Sequence, residues 1–137
     1  MNKKRWVVAS LAVFVFVMAI EALYSNYCLK GVYAEHANLW RPMGDMMARM
    51  PYYWVSAFIV SFIFTYIYIK GYEGKSSRMG EGFRFGLLFG LFVNLTMSTI
   101  TYATMPISVK LAVYWFLTGM VEYILAGIIV GLIYKKA

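Results

Sequence analysis

Cysteine and histidine each occur once in the 137 residues, as Cys28 and His36. A single cysteine excludes an intramolecular disulfide and a thiolate metal cluster. A single histidine outside the apolar runs leaves no Ser-His-Asp set, no His/Cys ligand pair and no haem ligand inside a membrane. We therefore expect a protein that is not an enzyme and has no cofactor.

Charged residues are also scarce, at 14% of the chain, while 62% of the residues are hydrophobic. Soluble domains are closer to one quarter charged and one half apolar. The net charge of +7 would by itself be compatible with nucleic-acid binding. The basic residues, however, stand between apolar runs, as the orientation signals of membrane proteins do. We expect the lipid bilayer, and not nucleic acid, as the partner.

Four apolar runs are long enough to form membrane helices, which need about 20 residues to cross about 30 Å of hydrocarbon. They cover residues of about 6–27, 52–69, 83–104 and 111–134. The length suits a single domain, 1–137. No signal-peptidase site closes the first run, so we expect it to be retained as a span. The predicted fold is an all-α membrane protein, a bundle of four transmembrane helices.

The distribution of Lys and Arg predicts the orientation of this bundle. Three lie at the N-terminus, four lie in or beside the loop at 70–82, and two lie in the tail, against four on the opposite side. Basic residues are enriched in cytoplasmic segments. Both termini and the 70–82 loop are therefore predicted to be cytoplasmic, and the loop at 30–51 external.

Small or polar residues recur at every fourth position of the third run. Residues four apart share one face of a helix, and small residues on that face let two helix backbones approach closely. The fourth run carries further glycines, two of them also four residues apart. The residues predicted to serve helix packing are Gly82, Gly86, Gly90, Gly119, Gly127 and Gly131. We expect the third and fourth spans to pack tightly through them.

Two carboxylates fall inside predicted spans, Glu21 and Glu122. An ionisable side chain there usually faces the bundle interior and indicates a functional site. Helical rises of about 1.5 Å per residue put both acids at depths that overlap with the polar end of the third span. The predicted intramembrane polar cluster is Glu21, Ser25, Asn94, Ser98, Thr118 and Glu122.

No Lys or Arg is predicted at the depth of this cluster. Two buried acids in contact must retain a proton or hold a cation, which is what a proton-coupled or cation-binding site requires. The alternative is structural. A protonated Glu can hydrogen-bond to neighbouring helices and hold them together, with a contact worth ~0.6–2 kcal/mol. Glu21 could instead reach the outer membrane interface or a partner subunit.

The first loop contains a methionine-rich segment, 43–50, in which Asp45 and Arg49 are one helical turn apart. It predicts a short amphipathic helix on the membrane surface. The thioethers also suggest a copper(I) site, because soft sulfur ligands suit that ion. Its candidate ligands are His36, Met43, Met46, Met47 and Met50. Since ten methionines are spread along the chain as apolar filler, we expect no metal site.

The second half of the chain carries a set of short motifs. A Glu-Gly-x-x-x-Gly pattern lies within residues 80–90, Met105-Pro106 ends the third run, and Glu122 precedes a glycine-containing stretch at 126–131. With these motifs the chain resembles small bacterial four-span membrane proteins of an uncharacterised (domain of unknown function) family. The resemblance implies a four-helix fold in a bacterial cytoplasmic membrane and no known activity.

A distant analogy to the small multidrug resistance transporters rests on size, span number and a Glu in the first span. The chain departs from them in its long first loop, its second acid Glu122 and the absence of their surrounding motifs.

These features lead to one preferred functional hypothesis and two alternatives. The preferred one is a small non-enzymatic integral membrane protein, acting as an accessory or scaffold subunit or as a homo-oligomer that packs through its glycine faces. The first alternative is a proton-coupled small carrier that uses Glu21 and Glu122. The second is copper(I) handling on the outer face. The expected partners are lipid and other membrane subunits or a second copy of the chain.

Overall fold

The computed structural model describes residues 1–74 and 77–134. Within these ranges the secondary structure is helical and no strand occurs. Four helices are long and apolar enough to cross a membrane, which confirms the prediction of an all-helical chain with four candidate spans. Lys75, Lys135 and Lys136, which contribute to the predicted charge asymmetry, lie outside the described residues.

The chain runs back and forth along the bundle. Helix α1 spans Lys3–Leu23 and continues into one π-helical turn, Tyr24–Cys28. A short helix α2 (Lys30–Glu35) and a 3₁₀ turn (Ala37–Leu39) lead into the remaining helices, which are α3 (Met43–Lys70), α4 (Arg78–Thr104) and α5 (Val109–Ile133). We call the end that holds the start of α1 and the end of α5 the terminal end, and the opposite end the α2 end.

Helix α3 begins earlier than the sequence predicts. The second span was expected to start at residue 52 after a separate surface helix, but α3 is one helix from Met43 through Pro51 to Lys70. Proline removes one backbone N–H, and the rest of the helix keeps its hydrogen bonds. Its 28 residues make it about 42 Å long. The segment 43–50 therefore forms the first two turns of α3, where Asp45 and Arg49 make a 3.6 Å ion pair.

Helices α4 and α5 form an antiparallel pair whose backbones touch. A methyl group added to Gly127 would lie 2.9 Å from the Cα atom of Gly86, and one added to Gly131 would lie 3.1 Å from the Cα atom of Gly82. Gly82 and Gly127 face each other reciprocally, because each would place a methyl group onto the other's carbonyl oxygen. Such an approach allows Cα–H to carbonyl contacts between the helices.

The close contact continues toward the α2 end with larger neighbours. A methyl group on Gly90 would meet the Tyr123 Cβ atom at 3.1 Å and the Met120 sulfur at 3.2 Å. At Gly119 the space for a side chain is filled by the amide of Asn94. All six glycines assigned to helix packing thus lie in the α4–α5 contact within one chain.

The terminal end holds an aromatic core and two arginines. The ring of Phe64 on α3 lies 4.9 Å from Phe85 and 5.1 Å from Phe89, both on α4. Arg5 donates a hydrogen bond to the carbonyl of Ile133 (3.4 Å), and Arg78 donates one to the carbonyl of Leu132 (3.3 Å). Positive charge at a helix C-terminus satisfies the last carbonyls and suits the helix dipole.

Substituting Gly86 by Ala tests the glycine contact, because its methyl group would overlap the Tyr123 carbonyl and lie 2.8 Å from the Ile124 Cα atom. We expect Gly86→Ala to lower the free energy of unfolding by about 1–3 kcal/mol. The measurement is unfolding from mild micelles with added dodecyl sulfate, followed by tryptophan fluorescence.

The matched control is Gly44→Ala in α3, where nothing lies within 4 Å of an added methyl group. Alanine should stabilise that helix by up to about 1 kcal/mol. Equal effects of the two substitutions would contradict a backbone contact at Gly86.

Candidate functional site

A cavity of about 340 Å³ lies toward the α2 end, between α1, α4 and α5 and beneath α2. We call it the acidic cavity. Its size falls within the range of sites for small ligands. Its lining consists of Glu21, Tyr24, Ser25, Leu29, Tyr33, Asn94, Trp115, Thr118, Gly119, Glu122 and Tyr123. Residues from four separate segments of the chain therefore meet in one space.

Five of the six residues in the predicted polar cluster line this cavity, and Ser98 does not. Ser98 lines a separate groove of about 230 Å³ with residues that include Tyr102 and Phe116. The two helices meet at Asn94 and Gly119. One turn further along α4, Ser98 faces the 109–116 part of α5, whereas Glu122 lies on the other side of Gly119 along α5. Sharing a helix face with Asn94 was not enough to bring Ser98 to the acids.

The two acids are also shared with a second, neighbouring cavity of about 200 Å³, which we call the apolar cavity. Most of its lining is hydrocarbon from α1, α3 and α5. The lining residues are Val13, Val17, Glu21, Tyr53, Ser56, Ala57, Val60, Ser61, Phe64, Glu122, Tyr123 and Ala126. Glu21, Glu122 and Tyr123 line both cavities and so form their common wall.

The acids differ in their partners. The hydroxyl group of Tyr53 on α3 donates a hydrogen bond to Glu21 Oε2. For Glu122, residues 1–74 and 77–134 provide neither a hydrogen bond nor an ion pair. Among the described residues, the linings of the two cavities include no Lys, Arg or His. Two partly buried carboxyls thus face the same space, and the described lining has no basic side chain to balance their charge.

A change in helix geometry occurs beside Glu21. Helix α1 passes into the π-helical turn Tyr24–Cys28 immediately after the acid. Two residues of that turn, Tyr24 and Ser25, belong to the lining of the acidic cavity. A π-helical turn is wider than an α-helical one and is frequent at functional sites. The turn brings a phenol and a hydroxyl group into the lining of the acidic cavity.

Helix α2 and the start of α5 cover the acidic cavity. Trp115 Nε1 donates a hydrogen bond of 3.1 Å to the Tyr33 hydroxyl group, and the Tyr33 ring lies 4.9 Å from that of Trp40. Burial raises the pKa of Tyr33, the charge of Glu21 adds to this effect, and the hydrogen bond from Trp115 opposes it. Tyr33 therefore stays a neutral phenol beside the acids.

His36 fixes the same cover to the start of α5. Its Nε2 atom accepts a hydrogen bond from the Ser108 N–H at 3.2 Å, so its Nδ1 atom donates to the carbonyl of Val32 at 2.8 Å. Both ring nitrogens of this neutral tautomer are engaged. A copper(I) ion would have to displace one of these bonds before His36 could join the methionines.

The methionine candidates lie on the first two turns of α3, where Met43 and Met47 are exposed at one-turn spacing. In the part of the chain that the structure describes, no group of three or more His, Cys, Asp or Glu side chains could hold a metal ion. The copper(I) hypothesis therefore depends on the thioethers, since His36 could join them only after losing one of its hydrogen bonds.

Sequence reasoning missed the aromatic residues of the site. Tyr24 follows Glu21 by three residues, a spacing that puts both on one helix face, so it carried a usable signal. Tyr123 directly follows Glu122, and adjacent residues do not share a helix face. Tyr53, Tyr33 and Trp115 carried none. They reach the site through contacts between residues far apart in the chain.

No protein-family model, curated protein sequence or solved structure matches this chain.

The substitution Tyr33→Phe tests the cover of the cavity. The loss of the acceptor for Trp115 should lower the free energy of unfolding by about 0.5–1.5 kcal/mol near neutral pH. Because the folded-state pKa of Tyr33 is raised, its contribution is present below the ordinary pKa of about 10 and is lost as the pH rises through the folded-state pKa.

The wild type should therefore lose more stability than Tyr33→Phe above pH 10, as measured by unfolding across that range. Tyr27→Phe is the matched control, since Tyr27 is 80% exposed. If the free energy of unfolding falls equally above pH 10 in all three proteins, the raised pKa of Tyr33 in the folded protein is contradicted.

Proposed function

We propose that this protein is a small membrane carrier that binds a cation in the acidic cavity and exchanges it for protons on Glu21 and Glu122. The observation that carries the proposal is one cavity lined by two carboxyls from different helices, α1 and α5, without a basic residue in its described lining. The four candidate spans supply the membrane setting in which such an arrangement can act.

The chemistry of exchange follows from the surroundings of the acids. A carboxyl group in a low-dielectric cavity is stable when it is protonated or paired with a cation. A proton and a cation therefore compete for Glu21 and Glu122. Each then weakens the binding of the other, so a proton gradient can drive movement of the cation.

The aromatic lining favours an organic cation over a bare metal ion. Tyr24, Tyr33, Trp115 and Tyr123 surround the same space as the acids. Aromatic ring faces attract cations, and the attraction is strongest for Trp and for desolvated ligands.

The glycine contacts are the reason for preferring the carrier over the subunit role. All six glycines are occupied by the α4–α5 contact, so a scaffold would have to bind its partner through another surface. A purely structural acid would also be expected to hydrogen-bond a neighbouring helix, and Glu122 has no such bond among residues 1–74 and 77–134.

The orientation that we propose has both termini in the cytoplasm and the acidic cavity in the outer half of a bacterial cytoplasmic membrane. The excess of basic residues at the terminal end supports it. Arg5 and Arg78, which bond the end of α5, belong to that excess.

Uptake into liposomes tests the carrier. Tetramethylammonium is a suitable probe because it is permanently charged and has no neutral form that crosses lipid. Wild-type protein should accumulate it when the vesicle interior is acidic. Removing a charge partner from a buried pair costs about 2 kcal/mol or more, so Glu122→Gln should reduce uptake by roughly thirtyfold or more.

The matched control is Glu35→Gln, which makes the same chemical change at an exposed residue paired with Lys110. It should leave uptake unchanged. Full uptake by Glu122→Gln would refute the proposal. A second result would also refute it: the wild-type protein shows no uptake and, in mild detergent, purifies together with a stoichiometric partner.

Cys28 tests the orientation, because it is exposed at the α2 end and is the one cysteine of the chain. A membrane-impermeant maleimide should label it in intact cells, and Cys28→Ser should abolish the label. Labelling that appears only after the cells are permeabilised would reverse the proposed orientation.

A further inference from the structure

We infer that His36 is an acid-sensitive latch, which holds a lid over the acidic cavity while its ring is neutral and releases the lid when the ring takes up a proton. The lid is the segment 29–40, which consists of α2 and the 3₁₀ turn with their flanking residues. Two of its residues, Leu29 and Tyr33, line the cavity. The latch controls access and is independent of what the cavity carries, so it goes beyond the proposed function.

The partners of the His36 ring fix its protonation state. Nε2 lies 3.2 Å from the backbone nitrogen of Ser108, which can only donate, and Nδ1 lies 2.8 Å from the carbonyl oxygen of Val32, which can only accept. Nε2 therefore carries no proton, and Nδ1 carries one. A second proton has to go to Nε2, where it removes the hydrogen bond from Ser108.

The position of Ser108 adds repulsion to that loss. Ser108 is the N-cap of the 25-residue helix α5, and its hydroxyl group accepts a hydrogen bond of 3.2 Å from the Leu111 N–H. The N-terminus of a helix carries partial positive charge. The lone pair of a neutral Nε2 is attracted to it, whereas an imidazolium ring in the same place is repelled. Protonation therefore favours separation of the lid from α5.

Two further polar contacts join the lid to α5. Trp115 donates its hydrogen bond to the Tyr33 hydroxyl group, and Lys110 lies 3.3 Å from Glu35. Histidine is the side chain that ordinarily changes charge between pH 5 and 8. Mild acid therefore acts on the contact of His36 with α5 before it acts on these two.

Other charged groups near the lid have to be separated from His36 in any test. Besides His36, the segments 29–41 and 105–115 contain six charged or titratable residues, which are Lys30, Tyr33, Glu35, Arg41, Lys110 and Tyr114. Glu35 and Lys110 pair with each other across the contact. Below the lid, Glu21 and Glu122 are two further acids.

Thiol labelling at position 32 measures release of the lid, because Val32 is 5% exposed and packs against Ile107 and Leu111. Val32→Cys in a Cys28→Ser background puts the one cysteine under the lid of the purified protein. A small uncharged maleimide should label it about two- to tenfold faster at about pH 5.5 than at about pH 7.5, as expected for the loss of one hydrogen bond.

Ala48→Cys in the same background corrects for the effect of pH on the thiol itself, since residue 48 is exposed on α3, outside the lid. The labelling rates of Val32→Cys are divided by those of Ala48→Cys at each pH.

Three changes, each added to Val32→Cys, assign the effect to the ring. His36→Gln keeps an acceptor for the Ser108 N–H but does not titrate, so the corrected rate should be the same at both pH values. His36→Phe has no acceptor and should give fast labelling at both. Glu35→Gln breaks the ion pair with Lys110 and keeps His36, so it should retain the pH dependence.

The ring gives a second readout that does not depend on the folding of Val32→Cys. His36 is the one histidine of the chain, so the ring signals of wild-type protein labelled with ¹⁵N-histidine belong to it. Near neutral pH they should show the proton on Nδ1. A neutral ring with its proton on Nε2 would overturn the latch.

Two labelling results would also overturn it. One is a corrected rate for Val32→Cys that does not change with pH. The other is an equal pH effect in the His36→Gln variant, which would assign release of the lid to the acids below it. Neither measurement involves uptake, so a failure of the proposed carrier function is distinguishable from a failure of the latch.

Discussion

The close approach of α4 and α5 is the constraint on which the rest of the molecule depends. Helices in lipid gain little from the hydrophobic effect, so packing between small residues has to hold them together. Gly82 lies against Gly127, and Gly86 lies against the backbone of Tyr123. The register set by these pairs brings Asn94 to Gly119. The same register determines which face of α5 remains for α1, and that face carries Glu122.

This arrangement separates the part that holds the fold from the part that carries charge. The glycine contact needs no ionisable group, so α5 can present Glu122 in an apolar setting whether the acid is protonated or paired. Glu21 comes from α1, which contacts both α3 and α5. Its hydrogen bond from Tyr53 ties it to α3. The one hydrogen bond that the acids make with described residues thus links α1 to α3.

The parts of the structure that could be predicted are those encoded by local periodicity. Apolar runs gave the four long helices, and a spacing of four identified the glycines that line one contact. Ser98 shows the limit, because a shared face holds only while two helices stay in contact along it. Proline at position 51 suggested a helix start that the surrounding helix overrides. Tyr53 and Glu21, 32 residues apart, meet only through tertiary packing.

The carrier that we propose would have to open its site to each side of the membrane in turn, and the packing limits which helices such a motion would involve. Toward the terminal end the apolar cavity ends at Phe64, which is 2% exposed and packs against rings of α4 and α5. A route past it requires α3 to shift. The glycine contacts leave α4 and α5 no space to slide, because carbonyl oxygens already occupy the positions of missing side chains. The smallest consistent motion is a displacement of α3 together with α1, whose Trp6 bonds the Phe62 carbonyl, against a fixed α4–α5 pair.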